Sequence, residues 1–540
     1  MKTIRVKARN GKPTPIFLLT NFDLIFCIPI FLLNVANLYL IRPLLLRTIN
    51  LIGYPAIKLI GDVTNVSRAK TLTMTLLYMT LLPAAYLHML LMPQAGPLVQ
   101  GIWAAVLLVI GLALGEIVCY ANNIQAAPPM GKCLTRDVFA EAARGIPEYL
   151  VDSKYSRGSL FAASFLTLHI VYNLVFATLF IHQGWLYYAP LIVLLQATLF
   201  TDKEHIEHLC SHAAGRVVRA EMARGVKDYL FVALEFLRKY VAWPLQFWTP
   251  DYYYCTHTGI HHVEDNGPAD YQSTLRYDQT SFIDFIKACT WYSLFISLIP
   301  IEVICYLRAM KRTKFLRLFL RGYILGNAMF VLVAWLHPIL GGILFTVFLS
   351  SGVRSYLFVM RWHGFHDATR PYSVEASNSS PLHYGHHKEQ NVHLMVVAEC
   401  CRVFWKNREK EPKNFPIFVS AGALETYSRN PMLVFFLMWQ GKIDVLSKFI
   451  YTDGNSRAEL KKYVTGLRYL GKSPWLAPRD EKLSRWVGKL AEKLHRRSMS
   501  AEDIAFFDDT SPQVMMNIRV TNFRKLKVRS VEDNLPQGIY

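Results

Sequence analysis

Twelve of the chain's 17 histidines fall into four short clusters. The first is Asp202-Lys-Glu-His205-Ile-Glu-His208-Leu-Cys-Ser-His212, and the second is His257-Thr-Gly-Ile-His261-His262. The third is His363-Gly-Phe-His366-Asp367, and the fourth is His383-Tyr-Gly-His386-His387, with His393 six residues on. Residues three and four apart share a face of an α-helix. His205, His208 and His212 would then project together, as would His257 with His261, and His383 with His386 and His387. Each cluster can present two or three ring nitrogens to one point without bending the backbone. Neutral imidazole is a donor for iron, zinc, copper and nickel. One tetrahedral ion uses four ligands, so about ten histidines are enough for two metals with positions left open.

The remaining histidines, His88, His169, His182, His337 and His495, stand alone. They read as packing or surface residues. Other metal and cofactor signatures are missing. There is no H-E-x-x-H, no two E-x-x-H motifs to make a pair, no C-x-x-C, no four-cysteine cluster pattern and no G-x-G-x-x-G opening a helix. His337-Pro-Ile-Leu-Gly-Gly342 resembles a haem-binding His-Pro-Gly-Gly only loosely, because it has two extra residues and lies in an apolar stretch. The chain therefore predicts no bound haem, flavin or NAD. The nine cysteines are scattered, which suits a reducing compartment.

The elements that must position the clusters are apolar. Of 540 residues, 52% are hydrophobic and 18% charged, and the mean hydropathy is +0.22. Soluble domains carry about 25% charged residues. A helical span needs about 20 apolar residues. Segments 17–40, 71–92, 98–120, 160–181, 185–200, 281–307 and 322–360 are the candidates, and basic Met1 to Lys12 reads as the flank of an uncleaved first anchor. The net charge of +20 sits mainly beside these segments, which points to membrane-facing loops rather than nucleic acid. The expected fold is all-α and integral to the membrane: a multi-span bundle bearing a cytosolic histidine-box metal cap and a mostly helical C-terminal extension. Its expected segments are 1–150 (spans and loop), 151–400 (catalytic, with the boxes) and 401–540 (basic, cytosolic or on the membrane surface). Two full crossings between His262 and His383 would return the last box to the side of the second. They would also strand Arg308, Lys311, Arg312, Lys314, Arg317 and Arg321 on the opposite face, against the positive-inside rule. Re-entrant hairpins bending at Pro300 and at Pro338–Gly342 would avoid this.

His208-x3-His212, His257-x3-His261-His262 and His383-x2-His386-His387 resemble the three histidine boxes of the membrane fatty acid desaturase and hydroxylase superfamily, over about residues 160–400. The acidic tail after the second box, with Glu264, Asp265 and Asp270, is similar too. The second box has three intervening residues where many acyl desaturases have two. The resemblance implies two irons, O2 activation and an external electron donor such as a ferredoxin or cytochrome b5-like protein. It implies metal ligation by His205, His208, His212, His257, His261, His262, His366, His383, His386 and His387, and no catalytic residue beyond the ligands. His363, His393, Glu264 and Asp367 are left as ligands or hydrogen-bond partners of ligands. The implied activity is desaturation of a fatty acyl chain on a lipid, CoA or acyl-carrier-protein carrier, with the boxes on the cytoplasmic side. Hydroxylation or oxidative cleavage of a lipid, sterol, carotenoid or hydrocarbon would use the same site. A metal transporter or sensor is a third reading, but transporters place polar ligands at mid-membrane, whereas these boxes lie outside the apolar cores.

Overall fold

A computed structural model describes residues 1–37, 40, 146–151, 211, 218–244, 249–295, 298–364, 366, 370, 372–378, 381–389, 397–411, 414, 417–419, 432–442, 450–452 and 480–497. The expected spans 71–92, 98–120, 160–181 and 185–200 lie outside these residues, as do His205, His208, His212, Asp367 and His393.

In chain order, strands β1 (Lys2–Lys7) and β2 (Pro13–Leu18) are followed by helix α1 (Leu24–Ala36) and, further on, α2 (Val226–Leu237). A π-helix, Tyr254–His261, carries the second histidine box. Then come α3 (Phe282–Leu294), α4 (Ile301–Ala309), α5 (Thr313–Leu336), α6 (Pro338–Leu349) and α7 (Gly352–His363). After these lie α8 (Val374–Ser377), α9 (Pro381–Lys388) and α10 (Val397–Lys410). The last elements are β3 (Ile417–Val419), α11 (Met432–Gln440), β4 (Ile450–Thr452) and α12 (Glu481–Arg496). The described chain is mostly helical, with β1–β2 and β3–β4 as separate antiparallel pairs.

The chain divides into two units. One gathers 1–34, 256–316 and 349–534, and the other gathers 35–255, 317–348 and 535–540. These units cut across the sequential segments 1–150, 151–400 and 401–540.

The first unit holds the histidines of the second, third and fourth clusters that are described. Its N-terminus is a β-hairpin. Lys2 pairs with Leu18 and Lys7 with Pro13 in an antiparallel register. The turn closes through Ala8 N to Lys12 O (2.8 Å) and uses Gly11 at φ +80°, a conformation that glycine adopts without Cβ strain. Alternation along β2 buries Thr14, Ile16 and Leu18. α1 follows and is described over 13 residues. Its Asn34, polar within an apolar helix, is buried and satisfied: Nδ2 donates to Ile30 O and Leu349 O, and Oδ1 accepts from Val353 N. Burial of a polar group is costly unless it is bonded in this way.

α3 is the centre of the unit. Its Phe285 packs edge-on with Phe31 and against Tyr356, Phe435 and Trp439. α7 approaches α3 so closely that a Cβ at Gly352 would stand 2.1 Å from Cys289 O. The expected 281–307 span is broken. α3 ends at Leu294 and α4 starts at Ile301 after Pro300, giving helices of 13 and 9 residues. The loop that follows α4 sits against the second box: Arg312 donates to Gly259 O, and the Asn10 side chain meets Met310 Sδ at 3.3 Å. Arg312 of the basic loop is therefore beside the second box.

In the second unit, the ring of Phe319 packs on Tyr252. A Cβ at Gly322 would clash with Pro250 O, so the backbone at Pro250 lies directly on this glycine. Among the described residues, α5 is the single helix long and apolar enough to cross a membrane. Much of its surface is exposed: Ile324, Val331 and Trp335 face outward, Trp335 at 77% exposure.

Candidate metal centre

Seven buried histidines from the second box, the fourth cluster and the end of α7 form two groups. His261, His363, His383 and His387 make one, and His257, His262 and His386 make the other.

The division follows from local structure. An α-helix at box two would bring His257 and His261 to one point. The segment is instead a π-helix, in which i and i+5 are the stacked neighbours. His257 and His262, five apart, meet at 3.0 Å between Nε2 atoms, while His261 turns to the other group and reaches His363 Nε2 at 3.2 Å. The expectation of a shared i, i+4 point for His257 and His261 is corrected by this change of period. The loose turn is closed by contacts at Gly259, where a Cβ would press on the Phe315 ring at 3.1 Å. α9 divides its histidines as well: His383 and His387, one turn apart, join the first group, and His386 reaches His262 Nε2 at 3.0 Å. The groups are neighbours, because the ring of His262 stacks on that of His387 at 4.2 Å.

The distances fit a bound metal. Tetrahedral nitrogens at zinc–imidazole length, roughly 2.0–2.1 Å, stand about 3.3 Å apart. Separations of 3.0 to 3.2 Å between Nε2 atoms are of that order. In each group the ring nitrogens converge on their own point, a crowding that a cation between them would relieve.

The four-histidine group also fixes its tautomers. His261 Nδ1 lies 2.6 Å from Asp270 Oδ2, and His387 Nδ1 lies 2.8 Å from Asp265 Oδ1. His363 Nδ1 meets Ser377 O at 2.7 Å, and His383 Nδ1 meets Asn378 Oδ1 at 2.5 Å. Asn378 is oriented by its own amide, which donates to Val374 O and Ser377 Oγ. All four partners are oxygen acceptors, so each Nδ1 carries the proton and each Nε2 offers its lone pair inward. This is the usual outer support of a metal-bound histidine. Burial, then the neighbouring imidazoles, hold His363 and His383 well below the usual imidazole pKa, which keeps them neutral donors.

The turn after box two supplies both carboxylates. Asp265 and Asn266 adopt left-handed backbone (φ 47° and 60°), a region in which Asp and Asn are enriched. Gly267 follows because a Cβ there would stand 2.6 Å from the Tyr372 ring. The turn aims Asp265 at His387 and lets Asn266 N donate to Asp270 Oδ2 at 3.1 Å. Burial pushes the Asp265 carboxyl up to about 7, although Arg9 and His261 oppose this. For Asp270, burial acts upward but is outweighed by His261 and its hydrogen bonds, which leave the carboxyl below its ordinary value. The N-terminal hairpin reaches the same turn. Arg9 Nη1 pairs with Asp265 Oδ2 at 2.5 Å and Arg9 N donates to Glu264 Oε2 at 2.9 Å.

His363 and His366 exchange the roles expected of them. His363 stands in the four-histidine group. His366 lies outside both groups, with Nδ1 3.0 Å from Asn266 Nδ2 and Nε2 3.4 Å from Arg370 O. Glu264 is in neither group; it accepts from Tyr306 Oη at 2.5 Å and from Arg9 N. Among the lone histidines, His495 packs edge-on against Phe436. Sequence reasoning missed Arg9 and Asn378 and did not make Asp265 or Asp270 partners of particular ligands. The signal for the aspartates was their place within nine residues of His261; for Arg9, some 250 residues away, there was none.

A metal ion held by buried histidines is thus what the arrangement can accommodate. Comparison of the chain with protein families, with curated proteins and with solved structures finds no match.

Proposed function

We propose that the chain is a membrane di-iron oxidoreductase that desaturates a fatty acyl chain with O2 and two electrons from a separate protein. The observation carrying this reading is the pair of adjacent all-imidazole groups that the second and last boxes build together with His363, one with four nitrogens and one with three. In this reading His205, His208 and His212 are the remaining nitrogen donors. Imidazole sets suit iron among the transition metals, and the box pattern favours iron over zinc.

The bound irons would supply O2 activation and the removal of two hydrogens from adjacent methylenes. Two protons and two electrons complete the reduction of O2 to two waters as the C=C bond forms. The chain's residues do the positioning. The Nδ1 acceptors hold four rings in one tautomer, and burial keeps His363 and His383 neutral and water out. Exposed apolar residues on each unit support a membrane setting: Ile25 and Leu32 on α1, and Val331 and Trp335 on α5. The basic loop beside box two supports a cytoplasmic face for the histidines. An electron donor such as a ferredoxin or cytochrome b5-like protein would approach that face.

The test is iron per purified chain together with lipid profiles of cells with and without the gene. Two irons and a changed double-bond pattern are expected. A hydroxylated or shortened product would assign the same site to oxygen insertion or chain cleavage. A chain that binds no iron, or that carries metal across vesicle membranes, would defeat the oxidoreductase reading.

A further inference from the structure

α12 has three faces, and the wrong one for a soluble protein looks outward. At 3.6 residues per turn, Ser484, Gly488 and Glu492 fall in one arc about 80° wide. This is the buried arc. It docks on α11, where a Cβ at Gly488 would stand 2.9 Å from Phe436 O and 3.2 Å from the Trp439 side chain. Glu492 locks the contact by accepting from Gln440 Nε2 and Lys442 Nζ, both at 2.6 Å. The docked face is thus small and polar. Leu483, Trp486, Leu490 and Leu494 fill a second arc of similar width, and all four are exposed, Trp486 at 62%. Lys482, Arg485, Lys489 and Lys493 fill a third arc next to it and are exposed as well.

A helix that needed only a protein core would have turned its leucines toward α11. Here the contacts of Gly488 and Glu492 fix the rotation so that the apolar arc faces away. An apolar stripe bordered on one side by lysine and arginine is the pattern of a helix lying in a bilayer interface, with the stripe among acyl chains and the cations at the headgroups.

The rotation is fixed from a second side as well. The first turn of α12 caps the N-terminus of α3: Phe282 N donates to Ser484 Oγ at 2.9 Å and Ile283 N to Asp480 Oδ2 at 3.0 Å. Those amides have no partner within α3, so α12 is tied across the N-terminal end of α3 and its apolar arc cannot turn inward.

We infer that α12 is an interfacial anchor that seats Leu483, Trp486, Leu490 and Leu494 in the leaflet on the histidine side and binds anionic lipid headgroups through Lys482, Arg485, Lys489 and Lys493. The inference rests on the membrane setting proposed above. It does not depend on the chemistry of the metal centre.

The full-length protein is reconstituted into phosphatidylcholine vesicles with and without phosphatidylserine. A fluorescent amino acid is placed singly at 486, 490, 485 and 489, with a reference at 331 on α5. Nitroxide-labelled lipid should quench 486 and 490 several-fold more than 485 and 489, and iodide should do the reverse. Leaving out phosphatidylserine should raise iodide access to 485 and 489; no change would overturn the anionic-headgroup assignment. Free iodide access at 486 and 490, with 331 still quenched by lipid, would overturn the anchor alone. Shielding of 486 and 490 from both quenchers would mean that protein covers the stripe, and would also overturn it. Loss of lipid quenching at 331 would remove the membrane setting itself.

Discussion

The two histidine groups share the second and last boxes, but only one of them adds His363, and they differ in completeness. His261, His363, His383 and His387 make a set of four nitrogens, each ring held from behind by an oxygen acceptor. His257, His262 and His386 make a set of three that meet through His262 Nε2. Closed tetrahedral sets are the structural kind, whereas catalytic metals keep a position for water or substrate. The difference suggests a division of labour: the four-histidine group holds its ion firmly, and the three-histidine group is where coordination remains available among the described residues.

The largest test removes one ligand from each side. His262→Ala leaves the smaller group with two nitrogens, while His383→Ala leaves the larger with three. Product formation should fall to near zero in both. Metal analysis should separate them: His262→Ala should lose its ion entirely, and His383→Ala should keep a weakly held one that dialysis against chelator removes. Full metal content after His262→Ala would break the comparison.

A smaller effect is expected behind the ligands. Asp270→Asn keeps the size of the side chain but removes the anion facing His261 Nδ1. Loss of such a partner lowers metal affinity by about 10–100-fold. The loss should fall on one ion of the two, seen as a two-phase chelator titration in which only the tighter phase moves. Equal weakening of both phases would mean that the outer acceptors do not distinguish the groups.

Acid should sharpen the same contrast. Metal binding requires neutral imidazole, so protons compete with the ion. Burial and neighbouring rings depress the pKa of His363 and His383. A depressed pKa means that protonation comes only at lower pH, so the four-histidine ion should stay bound below the ordinary imidazole value of about 6.5. Release from that group already complete above 6.5, followed by absorbance of a cobalt-substituted protein, would contradict this.

What the sequence revealed and what it hid divide along range. Box spacing singled out His257, His261, His262, His383, His386 and His387 because their clustering is local and chemically specific. It assumed an α-helical period, and the π-helix at Tyr254–His261 changed which histidines meet. The choice between His363 and His366 was invisible, since it depends on α7 ending at His363 and on Asn266, 100 residues earlier, engaging His366. Hydropathy marked 281–307 as one apolar stretch, and the proline signal at Pro300 marked where it divides into two short helices. The N-terminal hairpin was misread because its apolar residues, Ile16 to Leu18, run directly into those of α1; their alternation in β2 is too short to stand out.

Arg9 offers the smallest and most discriminating test, because it touches the centre only through Asp265. Its guanidinium is partly exposed, with 45% of the side chain accessible, while Asp265 is buried. Exposed ion pairs contribute about 0.2–1 kcal/mol, so Arg9→Ala should weaken metal binding by no more than about fivefold. The effect should be confined to the four-histidine group, because Asp265 faces His387 and not His257, His262 or His386. Arg9 also donates its backbone N–H to Glu264, and alanine keeps that bond, so the hairpin should stay in place. Arg9→Lys restores the charge and should recover most of the affinity. A cobalt spectrum that shifts in Arg9→Ala and returns in Arg9→Lys would show the charge acting through Asp265 on His387. An unchanged spectrum in both would reduce the hairpin to a cover over the turn, and the four-histidine group would then owe its firmness to the acceptors on Nδ1 alone.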